Sequence, residues 1–303
     1  MNRVRELVGA SRAYEQGIYG AGIGVAVLDS GVNERHPDLR GRLVYSYNYL
    51  TASPESVDDC GHGTHICGII GGTGVASGGR YQGLAPRCHF LSLKVLDKDG
   101  NGNSGTLVQA LYWLIDHGKE YDVRIVNISA GSTEIRGRKR TGLLKAVEDA
   151  WDAGFIVCAA AGNQGPARSS ITVPGTSPRI ITVGSSDDGR AVRLMGVRKA
   201  NYSGRGPTSA CVCKPDVTAP GAYIRSCSAD FEKPGRGFYT DKSGTSMATP
   251  VVSGSLALLL SRERQLTGKE VKLRLRTACR DLGLPRNQQG WGQIWVPALL
   301  FPE

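Results

Sequence analysis

The 303-residue sequence has no uninterrupted apolar run long enough to cross a membrane. A transmembrane helix needs roughly 20 consecutive, mostly apolar residues. The longest candidate, Val251 to Leu260, is interrupted by Ser253, Gly254 and Ser255. The first residues, Met1 to Leu7, also lack the apolar stretch of a secretory signal. These absences predict a chain without a membrane partner and without an export signal.

Linkers, low-complexity tracts and internal repeats are also missing, so nothing in the sequence divides the chain. Residues 1–303 are therefore expected to form one domain. Charged residues make up 21% and hydrophobic residues 40% of the chain, which is the balance of a folded globular protein and excludes disorder.

Cysteine is thinly spread over the sequence. Small secreted domains that depend on disulfides carry a dense cysteine framework, whereas a chain of this size buries enough core without one. Free thiols and a cytoplasmic location are therefore expected; the even count leaves disulfides, and with them a secreted mature form, as the alternative. The eight residues are Cys60, Cys67, Cys88, Cys158, Cys211, Cys213, Cys227 and Cys279.

Acidic residues are outnumbered, with 37 Lys and Arg against 27 Asp and Glu, which gives a net charge of +10. The excess is diffuse except for one run, Arg136 to Arg140. This run has no interleaved aromatic residues and belongs to no recognised nucleic-acid module, so it is expected to be a solvated surface loop rather than a nucleic-acid contact. A preference for acidic peptides is the alternative role for such a loop.

Three polar residues stand at positions that favour nucleophilic catalysis. Asp29 ends the apolar run that starts at Gly24, His62 lies between two glycines, and Ser246 directly precedes the apolar stretch at Val251. A serine hydroxyl becomes a good nucleophile when a base accepts its proton and a carboxylate orients that base. The order acid, base, serine is one of the known orders of such triads.

The three segments 29–31, 61–65 and 244–250 resemble the signature blocks of subtilisin-like serine proteases, the subtilase or S8 family. The resemblance runs from about Tyr14 to Trp295. Because only 28 residues precede Asp29, the chain is most similar to intracellular or prodomain-less bacterial members. The resemblance implies a serine endopeptidase that acts on peptide or protein substrates and forms an acyl-enzyme on Ser246, with His62 as the base and Asp29 as the orienting acid.

Further site residues follow from the same resemblance. Asn163 corresponds to the side-chain amide that donates to the developing oxyanion. Two segments correspond to the edges between which an extended substrate lies as an added strand, and a third lines the first specificity pocket, whose base is expected near Thr172. The substrate-binding residues are Gly100, Asn101, Gly102, Ser129, Ala130, Gly131, Ala160, Ala161 and Gly162.

Short apolar runs alternate with helical patterns along the chain, which predicts an α/β fold with a mostly parallel central sheet and helices on both faces. The resemblance implies the same three-layer, subtilisin-like fold. The predicted strands cover residues 25–28, 90–95, 125–128, 155–159 and 180–183, and the predicted helices cover 63–72, 104–116, 142–153 and 245–260.

No cofactor is required for this chemistry, and no metal ligand is assigned. The four residues Cys60, His62, His65 and Cys67 have zinc-ligand types but not the usual zinc spacing. The segment 97–102 matches the first half of an EF-hand loop, yet Val108 stands where that loop needs a glutamate. Asp38 resembles a calcium ligand of secreted relatives or stabilises a turn. Calcium or sodium near 175–180 also stays open.

Two other functions are compatible with these residues. One is a pseudoprotease that keeps the cleft as a peptide-binding regulator, and the other is a maturation protease of narrow specificity. The intact set Asp29, His62, Ser246 and Asn163 favours the active enzyme. The oligomeric state has no signal in the sequence.

Overall fold

The structure is a computed structural model that describes residues 1–55, 57–131, 137–194 and 196–302, with backbone only for 137–140. The helices in this part of the chain are α1 (Asn2–Leu7), α2 (Ser11–Glu15), α3 (His62–Gly71), α4 (Ser104–His117), α5 (Gly137–Asp152), α6 (Thr245–Arg262), α7 (Gly268–Thr277), α8 (Arg286–Gln289) and α9 (Val296–Leu300). The strands are β1 (Gly24–Asp29), β2 (Leu43–Asn48), β3 (His89–Lys94), β4 (Val123–Ile128), β5 (Ile156–Ala160), β6 (Ile181–Ser185), β7 (Val192–Leu194), β8 (Val197–Lys199), β9 (Val217–Ala219), β10 (Ile224–Cys227), β11 (Tyr239–Lys242), β12 (Cys279–Arg280) and β13 (Gln293–Ile294).

A central sheet organises the described residues, in the strand order β12-β13-β9-β6-β5-β4-β1-β3-β2. All neighbouring strands are parallel except β12 and β13, which are antiparallel. Two antiparallel hairpins, β7-β8 and β10-β11, lie outside this sheet.

The central strands are buried on both faces, as a continuous apolar run requires. Along β1, Val25 and Val27 join a core with residues of α3 and α6, whereas Ala26 and Leu28 join a second core with residues of α4 and α5. Successive side chains of a strand point to opposite faces, so helices cover both sides of the sheet. The predicted three-layer α/β fold is confirmed.

The predicted strands and helices occur at nearly the predicted bounds, with one correction. The helix expected from Gly142 begins at Gly137, so the basic residues after Arg136 lie in the first turn of α5 and not in a loop. Helix propensity explains the difference, because Arg and Lys are good helix formers. Arg136 itself lies outside the described residues.

Residues at the carboxyl ends of the parallel strands meet at one edge of the sheet. Asp29 ends β1, Ser129 follows β4 and Ala160 ends β5. Open parallel sheets bind their ligands at this edge. Within the described residues, no helix combines the length and the apolar character that a membrane crossing requires.

Candidate active site

The Asp29 carboxylate and the His62 imidazole form a short hydrogen bond, with 2.7 Å between Oδ1 and Nδ1. The same Oδ1 accepts the main-chain N–H of Ser30 at 2.8 Å. Asp29 is 1% exposed, whereas the His62 side chain is 22% exposed. The ionised carboxylate thus fixes Nδ1–H as a donor and leaves Nε2 on the open side of the ring as the proton acceptor.

Burial and charge act in opposite directions on His62. Burial favours the neutral imidazole, but the Asp29 charge and its hydrogen bond outweigh it and raise the pKa of His62 above the ordinary 6.5. The imidazolium that forms when the base takes a proton is therefore stabilised where it forms.

Asp58 holds the start of α3, the helix that begins with His62. It is 7% exposed, and its oxygens accept five hydrogen bonds, including those from the main chain of Gly61 at 2.7 Å and of Thr64 at 2.8 Å. A carboxylate beside the unpaired N–H groups of a helix start is favourable. The sequence interpretation missed Asp58; its position just before a glycine-flanked helix start is the signal that identifies it.

The glycine after His62 is required by a close approach of two chain segments. A Cβ on Gly63 would stand 2.1 Å from the carbonyl oxygen of Gly31 and 3.3 Å from the Cβ of Asp29. Any side chain there would push α3 away from the end of β1. This contact explains why the base and the acid can lie within hydrogen-bonding distance.

Ser246 stands in the first turn of α6 and opens onto the same cavity as His62. The cavity, which we call the cleft, has a volume of about 960 Å³ and is also lined by Asn163, Thr172 and Met247. The structure therefore brings the predicted base and the predicted nucleophile to one cleft. The main-chain N–H of Ser246 lies at the positive end of an 18-residue helix.

The side-chain amide of Asn163 is oriented by Thr245. Its Oδ1 accepts the main-chain N–H of Thr245 at 2.9 Å and the Thr245 hydroxyl at 3.1 Å. An amide oxygen that accepts two donors leaves Nδ2 as the group that points away from them. Nδ2 stands 3.3 Å from the position a Cβ on Gly244, two residues before Ser246, would take.

The predicted substrate edges lie along the cleft. Gly100, Ser129, Ala130 and Gly131 line it, and so do Ala160 and Gly162. A second cavity of about 300 Å³ continues from the edges and is lined by Gly100, Asn101, Gly102, Ala130 and Gly131.

Ala161 is the exception among the predicted substrate-binding residues. It is fully buried and lines neither of these two cavities. Its main-chain N–H donates to Val183 and its carbonyl accepts from Thr172. These two bonds join Ala161 to β6 and to Thr172, which lines the cleft.

Thr172 lies between the two glycines of that wall. A Cβ on Gly131 would stand 2.3 Å from the Thr172 hydroxyl, and one on Gly162 would stand 2.5 Å from it. Thr172 is 3% exposed, and its hydroxyl has no partner among the described residues. Thr172 also lines the cleft.

The four residues of zinc-ligand type in the segment 60–67 do not form a ligand cluster in the described part of the chain. His65 bonds the carbonyls of Ile224 and Thr240, and Cys67 is buried in the core. Among the described residues, the group whose possible ligand atoms do approach is His36, Asp38 and Cys227.

Asp38 is buried and already accepts several donors. Its Oδ1 accepts the main-chain N–H of Ala76 at 2.9 Å, and its Oδ2 accepts the Tyr239 hydroxyl at 2.8 Å. His36 uses both ring nitrogens, one with the carbonyl of Phe238 and the other with the main-chain N–H of Asp38. These contacts support the turn-stabilising role of Asp38. The EF-hand-like segment is also a turn, since the Asp97 carboxylate accepts main-chain N–H groups from Asp99 and Asn101.

Two lysine ammonium groups donate to carbonyl oxygens near 175–180, the segment for which the sequence left a calcium or sodium site open. Lys214 is buried and donates to the carbonyl of Ile180 at 2.9 Å and to Asp216 at 2.5 Å. Lys272 donates to the carbonyls of Pro178, Arg179 and Ile180. The sequence interpretation missed both, because nothing in the local pattern pairs them with this turn.

All eight cysteines are unpaired in the structure, and Cys67, Cys88, Cys158 and Cys227 are buried. Cys60 lines the cleft beside His62. Partial burial raises the pKa of the Cys60 thiol, which lowers its thiolate fraction at neutral pH.

Comparison with known proteins agrees with this geometry. The family model of the subtilase family matches residues 20–292. The serine protease AprX of Bacillus subtilis (strain 168) is 38% identical over 271 residues, which cover 85% of this chain and 61% of AprX. Subtilisin DY of Bacillus licheniformis is 30% identical, with coverage of 91% and 90%.

A solved structure of the S41 psychrophilic protease superposes with a TM-score of 0.78 at 29% identity and covers 93% of this chain and 96% of that one. The chain spans less than two thirds of the length of AprX. The family model nevertheless matches most of the chain, from Gly20 to Gly292. The chain therefore belongs to the subtilase family, the family of subtilisin-like serine endopeptidases.

Proposed function

We propose that this chain is an active serine endopeptidase that cleaves peptide bonds through an acyl-enzyme on Ser246. The observation that supports it most is the 2.7 Å bond between Asp29 and a His62 ring that opens onto the same cleft as Ser246. His62 takes the proton of Ser246 as the hydroxyl attacks the carbonyl carbon, and then gives it to the leaving amine. Water completes the reaction by the same route.

The oxyanion of each tetrahedral intermediate is stabilised by Asn163 Nδ2 and the main-chain N–H of Ser246. Support for Asn163 comes from Thr245, whose two donors hold Oδ1 and so leave Nδ2 as the donor available to the cleft that Asn163 and Ser246 both line. A pre-oriented donor stabilises charge that develops in the transition state, and so it raises kcat rather than merely tightening binding.

The substrate peptide lies extended between the segments 100–102 and 129–131. The Asn101 N–H donates to Asp97 Oδ1 at 2.9 Å, and its carbonyl accepts from Asp97 N at 2.8 Å. Asn101 is thereby used within the turn, and so is the N–H of Gly100, which donates to the carbonyl of Asp97 at 3.0 Å. The carbonyl of Gly100 and the main chain of Gly102 are left to pair with the peptide. This alternation is that of an edge strand.

The chain works in a reducing compartment such as the cytoplasm. This part of the proposal is supported by eight unpaired cysteines, four of them in the core. Calcium and sodium have no assigned role in the chemistry.

A fluorophosphonate probe tests the acyl-enzyme step. We expect one adduct on Ser246 of the folded chain, loss of the adduct in Ser246→Ala, and an unchanged adduct in Ser261→Ala, a serine near the other end of α6. A folded chain that cleaves no peptide and takes up no probe would instead be a peptide-binding regulator.

A further inference from the structure

The hairpin formed by β7 and β8 borders the cleft and has no role in the chemistry derived above. Its strands pair Val192 with Lys199 and Leu194 with Val197. Four of its side chains line the cleft that holds His62 and Ser246, namely Arg193, Leu194, Val197 and Lys199. This hairpin therefore contributes two cations to the wall of the catalytic cleft.

The hairpin is anchored at its base. Val192 is 1% exposed and packs with Tyr202 and Ala222. The Tyr202 hydroxyl bonds the Ser185 hydroxyl at 2.9 Å, which ties the hairpin to the end of β6. The Tyr223 hydroxyl also donates to the carbonyl of Ala191 at the hairpin entry. Anchoring of this kind holds the backbone from which Arg193 and Lys199 extend along the cleft.

The charges that line the cleft are unbalanced. Both lining carboxylates already have cationic partners, since Asp241 pairs with Arg225 at 2.9 Å and Asp99 pairs with Lys98 at 3.4 Å. Within the described ranges, no carboxylate lies within 4 Å of the cationic groups of Arg193, Lys199 or Lys242. Lys242 is close enough to His62 for its charge to oppose protonation of the base. Three cations in one concave wall attract an acidic ligand.

The hairpin stands apart from the edges that hold the acyl half of the substrate. Those edges, 100–102 and 129–131, line both the cleft and the second cavity, whereas the hairpin lines only the cleft. The leaving half of the peptide must continue past Ser246, away from the second cavity. The hairpin shares the cleft with Ser246 and does not line the second cavity, as a wall beside that path would.

We propose that Arg193 and Lys199, with Lys242, bind acidic side chains of the substrate on the leaving-group side of the scissile bond. The inference rests on the proposed peptidase function and names its substrate class: peptides or proteins with Asp or Glu just after the cleavage site. Exposed ion pairs are individually weak, so the expected preference is moderate and decreases with salt.

The test uses the full chain carrying Ser246→Ala, which binds peptide without turnover. Two fluorescent peptides share one acyl half and carry either acids or their amides after the scissile bond, and their Kd values are measured by anisotropy at low and high salt. We expect the acidic peptide to bind more tightly. The preference is expressed as the Kd of the amide peptide divided by the Kd of the acidic peptide. Adding Arg193→Gln and Lys199→Gln should reduce this ratio about fivefold at low salt, as the loss of two exposed ion pairs implies.

The matched control removes the same charge elsewhere. Lys269→Gln and Arg276→Gln change two exposed cations of α7 that line neither cavity, and the ratio should stay as in the Ser246→Ala chain. Equal binding of the two peptides would overturn the proposal. So would an equal effect of the control pair, or an equal effect on peptides whose acids lie in the acyl half. Failure of the peptidase function is seen separately, as absence of the fluorophosphonate adduct on Ser246.

Discussion

Thr172 is expected to set the depth of the first specificity pocket. Its side chain fills the space between Gly131 and Gly162, where even a Cβ on either glycine would come within 2.6 Å of it. A side chain that occupies the base of a pocket leaves room only for small substrate groups. We therefore expect the residue before the scissile bond to be small.

Thr172→Gly should widen that pocket. Two peptides are compared that differ only in the residue before the scissile bond, which is Phe in one and Ala in the other. We expect kcat/KM for the Phe peptide, relative to that for the Ala peptide, to rise roughly tenfold or more, in line with the effect of one or two carbon atoms in an apolar pocket. Cleavage of the two peptides by each variant measures it. The control is Thr176→Gly, which removes a similarly buried, unpartnered hydroxyl that does not line the cleft. An unchanged ratio in Thr172→Gly would place the pocket base elsewhere.

Asp29 determines the pH dependence of the reaction. His62 accepts a proton only when neutral, so kcat/KM should rise with pH through the pKa of His62, which lies above 6.5. In Asp29→Asn, the burial of His62 and the charge of Lys242 remain, and both lower the pKa of His62. The rise of kcat/KM should therefore shift to lower pH. We also expect kcat to fall roughly 10⁴-fold, the cost of the wrong tautomer in such triads.

A pH–rate profile checks the shift. Asp152→Asn, which changes an exposed carboxylate paired with Arg179, should leave the profile in place. A profile of Asp29→Asn with the midpoint unchanged would show that His62 is not the titrating base.

The turn before β6 and the segment before β9 are joined by a buried ammonium. Lys214 donates to Ile180 and to Asp216, and Asp216 in turn accepts the main-chain N–H of Thr182 at 2.8 Å. Burial lowers the pKa of Lys214 to about 8, below the ordinary 10.5. Between these two pKa values the Lys214 side chain binds more protons in the unfolded chain than in the folded one. This group therefore makes the free energy of unfolding rise with pH across that window.

Lys214→Met should leave the Asp216 carboxylate buried with Lys272 as its remaining cation, at 3.3 Å. We expect the free energy of unfolding to fall by about 3–5 kcal/mol at neutral pH, and the rise between pH 8 and 10.5 to be lost. Sodium or potassium should restore part of the stability, since the freed oxygens suit a cation. Urea unfolding measures all three effects. Lys233→Met, at an exposed pair with Asp230, should cost less than about 1 kcal/mol.

The elements that the sequence predicts well are those with an uninterrupted local pattern. Buried strands such as β1 and β5 are almost entirely apolar runs, and α6 begins at Thr245, directly after a glycine. By contrast, β2 is a half-buried edge strand and β9 has three residues, so neither has a pattern that distinguishes it from a loop. The hairpin of β7 and β8 is short and half of its strand residues are basic, and its place at the cleft depends on Tyr202, which is distant from Ser246 in the chain.

The candidate site divides in the same way. Asp29, His62, Ser246 and Asn163 were predicted because each lies in a distinctive segment. The structure places His62, Ser246 and Asn163 on one cleft, with Asp29 buried behind His62. Asp58 and Lys214 were missed because a single polar residue gains its role from partners elsewhere in the chain. Short-range patterns predict which residues act, whereas the groups that hold them depend on tertiary contacts.

At the scale of the whole molecule, the important distance is that between α3, which carries the base His62, and α6, which carries the nucleophile Ser246. Gly254 of α6 faces α3 and the segment after it: a Cβ there would stand 2.9 Å from the carbonyl oxygen of Ile70 and 2.7 Å from the Cβ of Leu84. Both obstacles are main chain or directly attached to it, so they cannot turn aside. This contact joins the two helices that bring His62 and Ser246 to one cleft.

Gly254→Ala should therefore separate α3 from α6. We expect the free energy of unfolding to fall by about 1–3 kcal/mol, the usual cost of overpacking. We also expect kcat to fall more than KM changes, because a misplacement of about 1 Å between reacting groups can cost about 100-fold. Gly142→Ala is the control: no atom lies within 4 Å of the added Cβ on α5, so it should stabilise the chain by up to about 1 kcal/mol and leave kcat unchanged. Denaturant unfolding and the rate of fluorophosphonate labelling are measured on both variants. If Gly254→Ala lowered stability but labelled Ser246 at the unmodified rate, the spacing of these helices would not govern the alignment of base and nucleophile.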